Sequence, residues 1–144
     1  MHCRDVCICL ATLLLPFPAA ADCLKANVEG QVAQGQLTIR RAHDAAGRIE
    51  RPYILHLATD ACLDSDDPDE AVKSTRTIHV FPDNDKLVPA FRRLVGKTVV
   101  VHGSPFPAIT AHHHAPIVMG GHRDKRASIN TEVAGIVAAP KQRK

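Results

Sequence analysis

The chain has 144 residues, a formal charge of +3 and 45% apolar residues, a size and balance that suit one domain with a modest core. So small a basic excess favours solubility and weak attraction to anionic surfaces, and implies no nucleic acid. Tryptophan is absent and aromatics are 3% of the chain, too few for the ring platforms that grip single strands, so no nucleic-acid partner is expected.

Residues 1–21 read as an export signal. Met1 to Arg4 is a short positive end followed by Asp5, Val6 to Phe17 is an apolar run, and Ala19-x-Ala21 is a small-residue cleavage site. The run is shorter than the ~20 residues of a membrane span, so no span is expected in the mature form. A lipid anchor at Cys23 is the rival reading, but Asp22 stands where a lipidation site wants a small residue. Cleavage after Ala21 leaves Asp22 to Lys144 and removes Cys3, Cys7 and Cys9. Cys23 and Cys62 then remain, an even pair that in a periplasmic or secreted protein reads as a disulfide rather than as metal-binding thiols. Closing a loop of that size would stabilise the fold by ~4 kcal/mol on chain-entropy reasoning.

From Cys23 to Val32, Leu24, Ala26 and Val28 alternate with polar neighbours as in a half-buried strand, with Gly30 at a bend. Gln34-Gly35 reads as a turn, and Leu37, Ile39 and Arg41 continue the alternation. Asp44 to Arg48 is a second turn. Arg51 to Leu57 is a third strand with Tyr53, Leu55 and Leu57 on one face and His56 on the other. Asp60 to Glu70 carries six carboxylates, but Pro68 interrupts their spacing and no glycine follows, so a solvated acidic loop fits better than a calcium loop. Arg76 to Phe81 is a short strand with Ile78 and Val80 inward and His79 outward.

Leu87, Phe91 and Leu94 recur at helical spacing and predict a helix from Lys86 to Leu94, capped by Asp85, with Pro89 in its first turn. Arg92 and Arg93 suit its last turn, and Gly96 stands at the C-terminal cap, a structural position. Val99 and Val101 then alternate along a strand that Gly103, a second structural glycine, ends. A Ser-Pro-Phe-Pro loop leads to Thr110-Ala111-His112-His113-His114, and Ile117 to Met119 is a last extended run. Strands, one helix, then two more strands make the chain mainly β: a small barrel of the oligonucleotide/oligosaccharide-binding (OB) type over residues 22–122. The basic extension from 123 to 144 holds a possible edge strand at Asn130–Val137.

Tyr53-Ile54-Leu55, the Gly96-Lys97-x-Val99-x-Val101-x-Gly103 strand and Thr110-Ala111-His112-His113-x-x-Pro116 together resemble a family of small exported bacterial domains of unknown function. The resemblance covers Tyr53 to Met119. It implies an exported, barrel-like β domain and brings no activity with it.

If Ala111 to Met119 is extended, His113 shares the apolar inner face with Ala111, Ala115, Ile117 and Met119 and is structural, a buried neutral imidazole. His112 and His114 then project together from the outer face beside Thr110, and these three are the candidate ligand-binding residues. Imidazoles two apart on a strand can reach one metal, with His102 or His122 as a third ligand, and zinc or copper suits them. Ser104 and Ser128 lack the context of a nucleophile, and no phosphate loop is present, so catalysis has no support in the sequence. Two functions remain. One is a non-enzymatic binding module of the cell envelope, contacting a protein, glycan or small ligand through the barrel face and the histidine-rich return. The other is a periplasmic metal-binding protein built on His112, His114 and His102.

Overall fold

The computed structural model describes residues 22–121 and 136–139. The export signal at 1–21, His122, Ser128 and most of the basic extension lie outside those residues. Nine strands are described: β1 (Leu24–Lys25), β2 (Gln31–Ile39), β3 (Ala42–His43), β4 (Ile49–Glu50), β5 (Tyr53–Asp64), β6 (Val72–Pro82), β7 (Thr98–Pro107), β8 (Ile117–Gly121) and β9 (Ile136–Ala138). One helix, α1 (Val88–Leu94), joins β6 to β7. It is far too short to cross a membrane, and no described helix is long and apolar enough to do so.

Five of these strands close on themselves. β2 pairs antiparallel with β5 and with β7, β5 with β6, and β7 with β8, while β6 and β8 run parallel and complete the ring. The result is a mainly β, five-stranded closed barrel with one short helix, in the strand order of an OB barrel. Period-two alternation sorts the side chains. Leu37, Leu55, Ile78, Val80, Val99, Val101, Ile117 and Met119 fill the interior. Ala90, Phe91 and Leu94 of α1, with Leu87 just before it, close one end, where the Phe91 ring meets that of Tyr53 edge-on at 5.2 Å. β9 adds to β7 beyond the reach of β8 and buries Ile136 in the same core. The disulfide joins Cys23 to Cys62, tying the short β1 alongside the far end of β5.

Several local expectations need correction. Gln34-Gly35 is no turn: both lie inside β2, where a side chain on residue 35 would sit 2.3 Å from the His56 carbonyl oxygen. That glycine serves close strand approach, a use that sequence cannot separate from a turn. The first strand stops at Lys25, because Asn27 (φ 59°) and Gly30 (φ 75°) take left-handed conformations that end it. β5 and β6 run several residues further than expected and confine the acidic connection to 65–71, where Asp67 caps a single 3₁₀ turn. The helix starts at Val88 rather than Lys86. Asn84, not Asp85, receives the Lys86 N–H on its side chain. Gly96 has φ 82° just past the helix end, as a C-terminal cap requires, and its N–H bonds the Leu37 carbonyl at 2.7 Å.

Candidate functional site

Two connections meet over the outer face of the barrel. The first joins β2 to β5 (residues 40–52) and contains the β3–β4 hairpin; the second joins β7 to β8 (residues 108–116) and carries the three histidines. The hairpin is set by Asp44, which is nearly buried. One carboxylate oxygen accepts the N–H groups of Ala46 and Arg48, and the other accepts Arg48 Nε at 2.6 Å. Those N–H groups, that of Arg48 foremost, hold its carboxyl below the usual carboxylate range. Because the turn is fixed, Glu50 on β4 is delivered to a definite place facing the second connection.

That second connection is a turn, not a strand, and this overturns the parity argument for its histidines. The His113 N–H bonds the Thr110 carbonyl at 3.0 Å, and the His112 N–H bonds Thr110 Oγ1 at 3.3 Å. Extended backbone begins only at Ile117. His113 is therefore not in the barrel interior. Its ring lies outside, edge-on to Phe106 at 5.4 Å, and its Nδ1 accepts the Ile109 N–H at 2.9 Å. Burial and the neighbouring imidazoles lower its pKa. Thr110 is exposed, and its hydroxyl is engaged in the turn.

His112 and His114 do converge, and the group between them is a carboxylate. Glu50 Oε1 meets His112 Nδ1 at 2.5 Å, and Oε2 meets His114 Nε2 at 2.6 Å. Each contact needs a proton on the imidazole nitrogen, which fixes the tautomer or charge of both rings. The hydrogen bonds from His114 and then His112 depress the Glu50 pKa, so the clasp contributes stability at neutral pH and loses it as Glu50 protonates in acid. His112 is half exposed, whereas only 9% of the His114 side chain is. Arg40 adds a second tie between the connections, donating from its guanidinium to the His114 carbonyl at 2.5 Å.

Beneath the clasp, a row of outward-facing residues crosses the barrel: Thr38, Ile54, His79, Val118 and Phe106 occupy successive paired positions on β2, β5, β6, β8 and β7. Ile54 and Val118 are fully buried although they face away from the interior. His79 lies under the rings of His113 and His114, with centroids at 6.4 and 5.6 Å. Its Nδ1 accepts the His114 N–H at 3.4 Å. Burial first, then the positive charge His114 and His113 would carry, pushes His79 down to about 4, so it is a neutral anchor for the histidine connection.

The expected third metal ligand, His102, stands elsewhere. It faces outward on β7 opposite Val32, four residues before Phe106 and so ~13 Å from it along the strand. His122 lies outside the described residues. The residues that do form a candidate ligand set are Asp44, Glu50 and His112, with one donor atom of each within 4.8 Å of the others. Gly103 does not end its strand: it lies inside β7, which takes in the expected Ser-Pro-Phe-Pro loop and runs to Pro107, and a side chain there would clash with the Gly120 carbonyl oxygen. Glu50, Asp44, Arg40 and His79 went unrecognised as site residues. The tight Asp44–Arg48 turn is the one signal that could have pointed to the hairpin.

Residues 77–120 match the family model described as Domain of unknown function (DUF4431). The match covers less than a third of the chain and spans the second half of β6, α1, β7, the histidine connection and most of β8. His79 and the three clustered histidines fall within it, whereas Asp44 and Glu50 fall outside. No curated protein and no solved structure matches the chain.

Proposed function

We propose that this chain is an exported, non-enzymatic binding module that holds its ligand on the outer face of the barrel, where the two connections meet. The observation that carries the reading is the Glu50 clasp to His112 and His114, which builds a single surface from both connections. In barrels of this topology, the loop after the first strand and the loop before the fifth are where ligands dock. Export is supported by the signal-like residues 1–21 and by a disulfide that suits an oxidising compartment.

The chemistry of the surface favours an anionic, hydroxyl-rich ligand, for which an acidic envelope glycan is the natural candidate. Both carboxylates here are already engaged, Asp44 in an ion pair with Arg48 and Glu50 in hydrogen bonds with two imidazoles. Arg41 and Arg51 are exposed there. The neighbouring outer face of β2, β5 and β6 offers Gln36, Thr38, His56 and Thr77, with His56 Nε2 and Thr38 Oγ1 3.1 Å apart. Ile39, Ile49 and Ile109, in or next to the two connections, are exposed and offer apolar contact.

Titration of short acidic peptidoglycan fragments into isotope-labelled mature protein tests the proposal. Amide shifts should concentrate in residues 40–52 and 108–116 and weaken sharply in an Arg41→Glu, Arg51→Glu variant. Shifts at another face, or binding unchanged in that variant, would refute it. The metal-binding alternative has its own support in the grouping of Asp44, Glu50 and His112.

A further inference from the structure

We infer that Asp44, Glu50 and His112 form a binding site for a divalent first-row cation, with His114 as the residue that positions Glu50. This rests on the metal-binding alternative and replaces the ligand set expected from sequence.

One donor atom from each of the three residues lies within 4.8 Å of the other two. Ligands around a zinc ion at ~2.0–2.2 Å stand roughly 3.3–3.6 Å apart, so the site closes with side-chain shifts of about 1 Å. Much of the preparation is already in place. Asp44 is held by two backbone N–H groups of its own turn, and Glu50 by His114, so neither carboxylate has to be ordered when the ion arrives. Support of this kind around a ligand fixes its orientation and raises affinity.

The exchange balances in charge and protons. The cation takes the place of the proton between His112 Nδ1 and Glu50 Oε1; from an imidazolium that proton leaves to solvent, and from a neutral ring it moves to Nε2, so the bound imidazole is neutral in either case. It also displaces Arg48 Nε from one Asp44 oxygen, and the Arg48 side chain is 75% exposed and free to turn outward. Two carboxylates and one imidazole leave further coordination positions open, so a bound ion would present a Lewis-acidic contact to an anionic group of a docked ligand. It would also cross-link the two connections more firmly than the clasp does. His102 has no part in this set, and Cys23 and Cys62 are engaged with each other.

The test is calorimetric titration of zinc into tag-free mature protein with its disulfide intact, with cobalt substitution as a spectroscopic check. The expected result is one equivalent of zinc and visible cobalt bands of low coordination number. Affinity should fall at least tenfold in each of Asp44→Asn, Glu50→Gln and His112→Ala and be unchanged in His102→Ala. His112 is half exposed, so His112→Ala remains folded even if a carboxylate variant does not. Zinc binding that survives His112→Ala and Glu50→Gln would overturn the site. Binding lost in His102→Ala but kept in Asp44→Asn would preserve the metal reading and overturn this ligand set. Absence of binding would overturn both and leave the glycan proposal standing.

Discussion

His79 faces outward from β6, under two imidazoles, and titrates at about 4 while a histidine in the unfolded chain titrates near 6.5. Between those values the unfolded state binds more protons, so stability is full above about 6.5 and declines as the pH falls toward 4. At 1.36 kcal/mol per unit the full shift would give a loss of roughly 2 kcal/mol from pH 7 to pH 5, and solvent screening of the partly exposed ring makes the loss smaller than that. Melting curves of wild type and His79→Gln at those two pH values check this. The wild type should drop more than the variant, and equal drops would mean that His79 is not held neutral. Glu50 acts at a distance of 62 and 64 residues from its partners. In Glu50→Gln, amide hydrogen exchange should accelerate through residues 108–116 while the barrel strands keep their protection. Uniform protection in that variant would show that the clasp does not order the histidine connection.

At the level of elements, three glycines that look alike in sequence do different work. Gly35 and Gly103 sit where a neighbouring carbonyl oxygen leaves no room for a side chain, at 2.3 and 2.1 Å, whereas at Gly96 the space is open and only φ 82° is restrictive. Gly103→Ala should therefore cost about 3 kcal/mol or more, since backbone must shift, and Gly96→Ala ~1–2 kcal/mol. Chemical denaturation of the two variants should rank them in that order. The helix was legible because Leu87, Phe91 and Leu94 state its buried face directly, and Phe91→Asp should unfold the domain by placing an unpaired carboxylate among core side chains. The histidine connection was not legible as a turn. Its signal is one side chain, Thr110 Oγ1, accepting an N–H two residues on, and Ala111-His112-His113-His114-Ala115 carries no turn residue to oppose an extended reading. Glu50 was illegible for a different reason: its role comes from barrel closure, which no local pattern encodes.

At the scale of the molecule, closure makes the site. β2 and β7 run antiparallel, so the connections that follow them leave opposite ends of that pair; they meet over the outer face, because the paired row that starts at Thr38 on β2 crosses β5, β6 and β8 to end at Phe106 on β7. Strand alternation and the helix were enough to expect the OB-type barrel; the partners of the histidine connection were not foreseeable. The disulfide fastens the opposite side, and replacing Cys23 and Cys62 by serine should cost roughly 2–5 kcal/mol in denaturation experiments without altering the clasp. The central claim is that one ligand surface spans both connections. Its most direct test is the acidic-glycan titration followed residue by residue in wild type and in Glu50→Gln. Shifts should appear in both connections of the wild type with one common dissociation constant, and the variant should bind more weakly, with its shifts confined to residues 40–52. Shifts in a single connection of the wild type, or an unchanged response in Glu50→Gln, would contradict it.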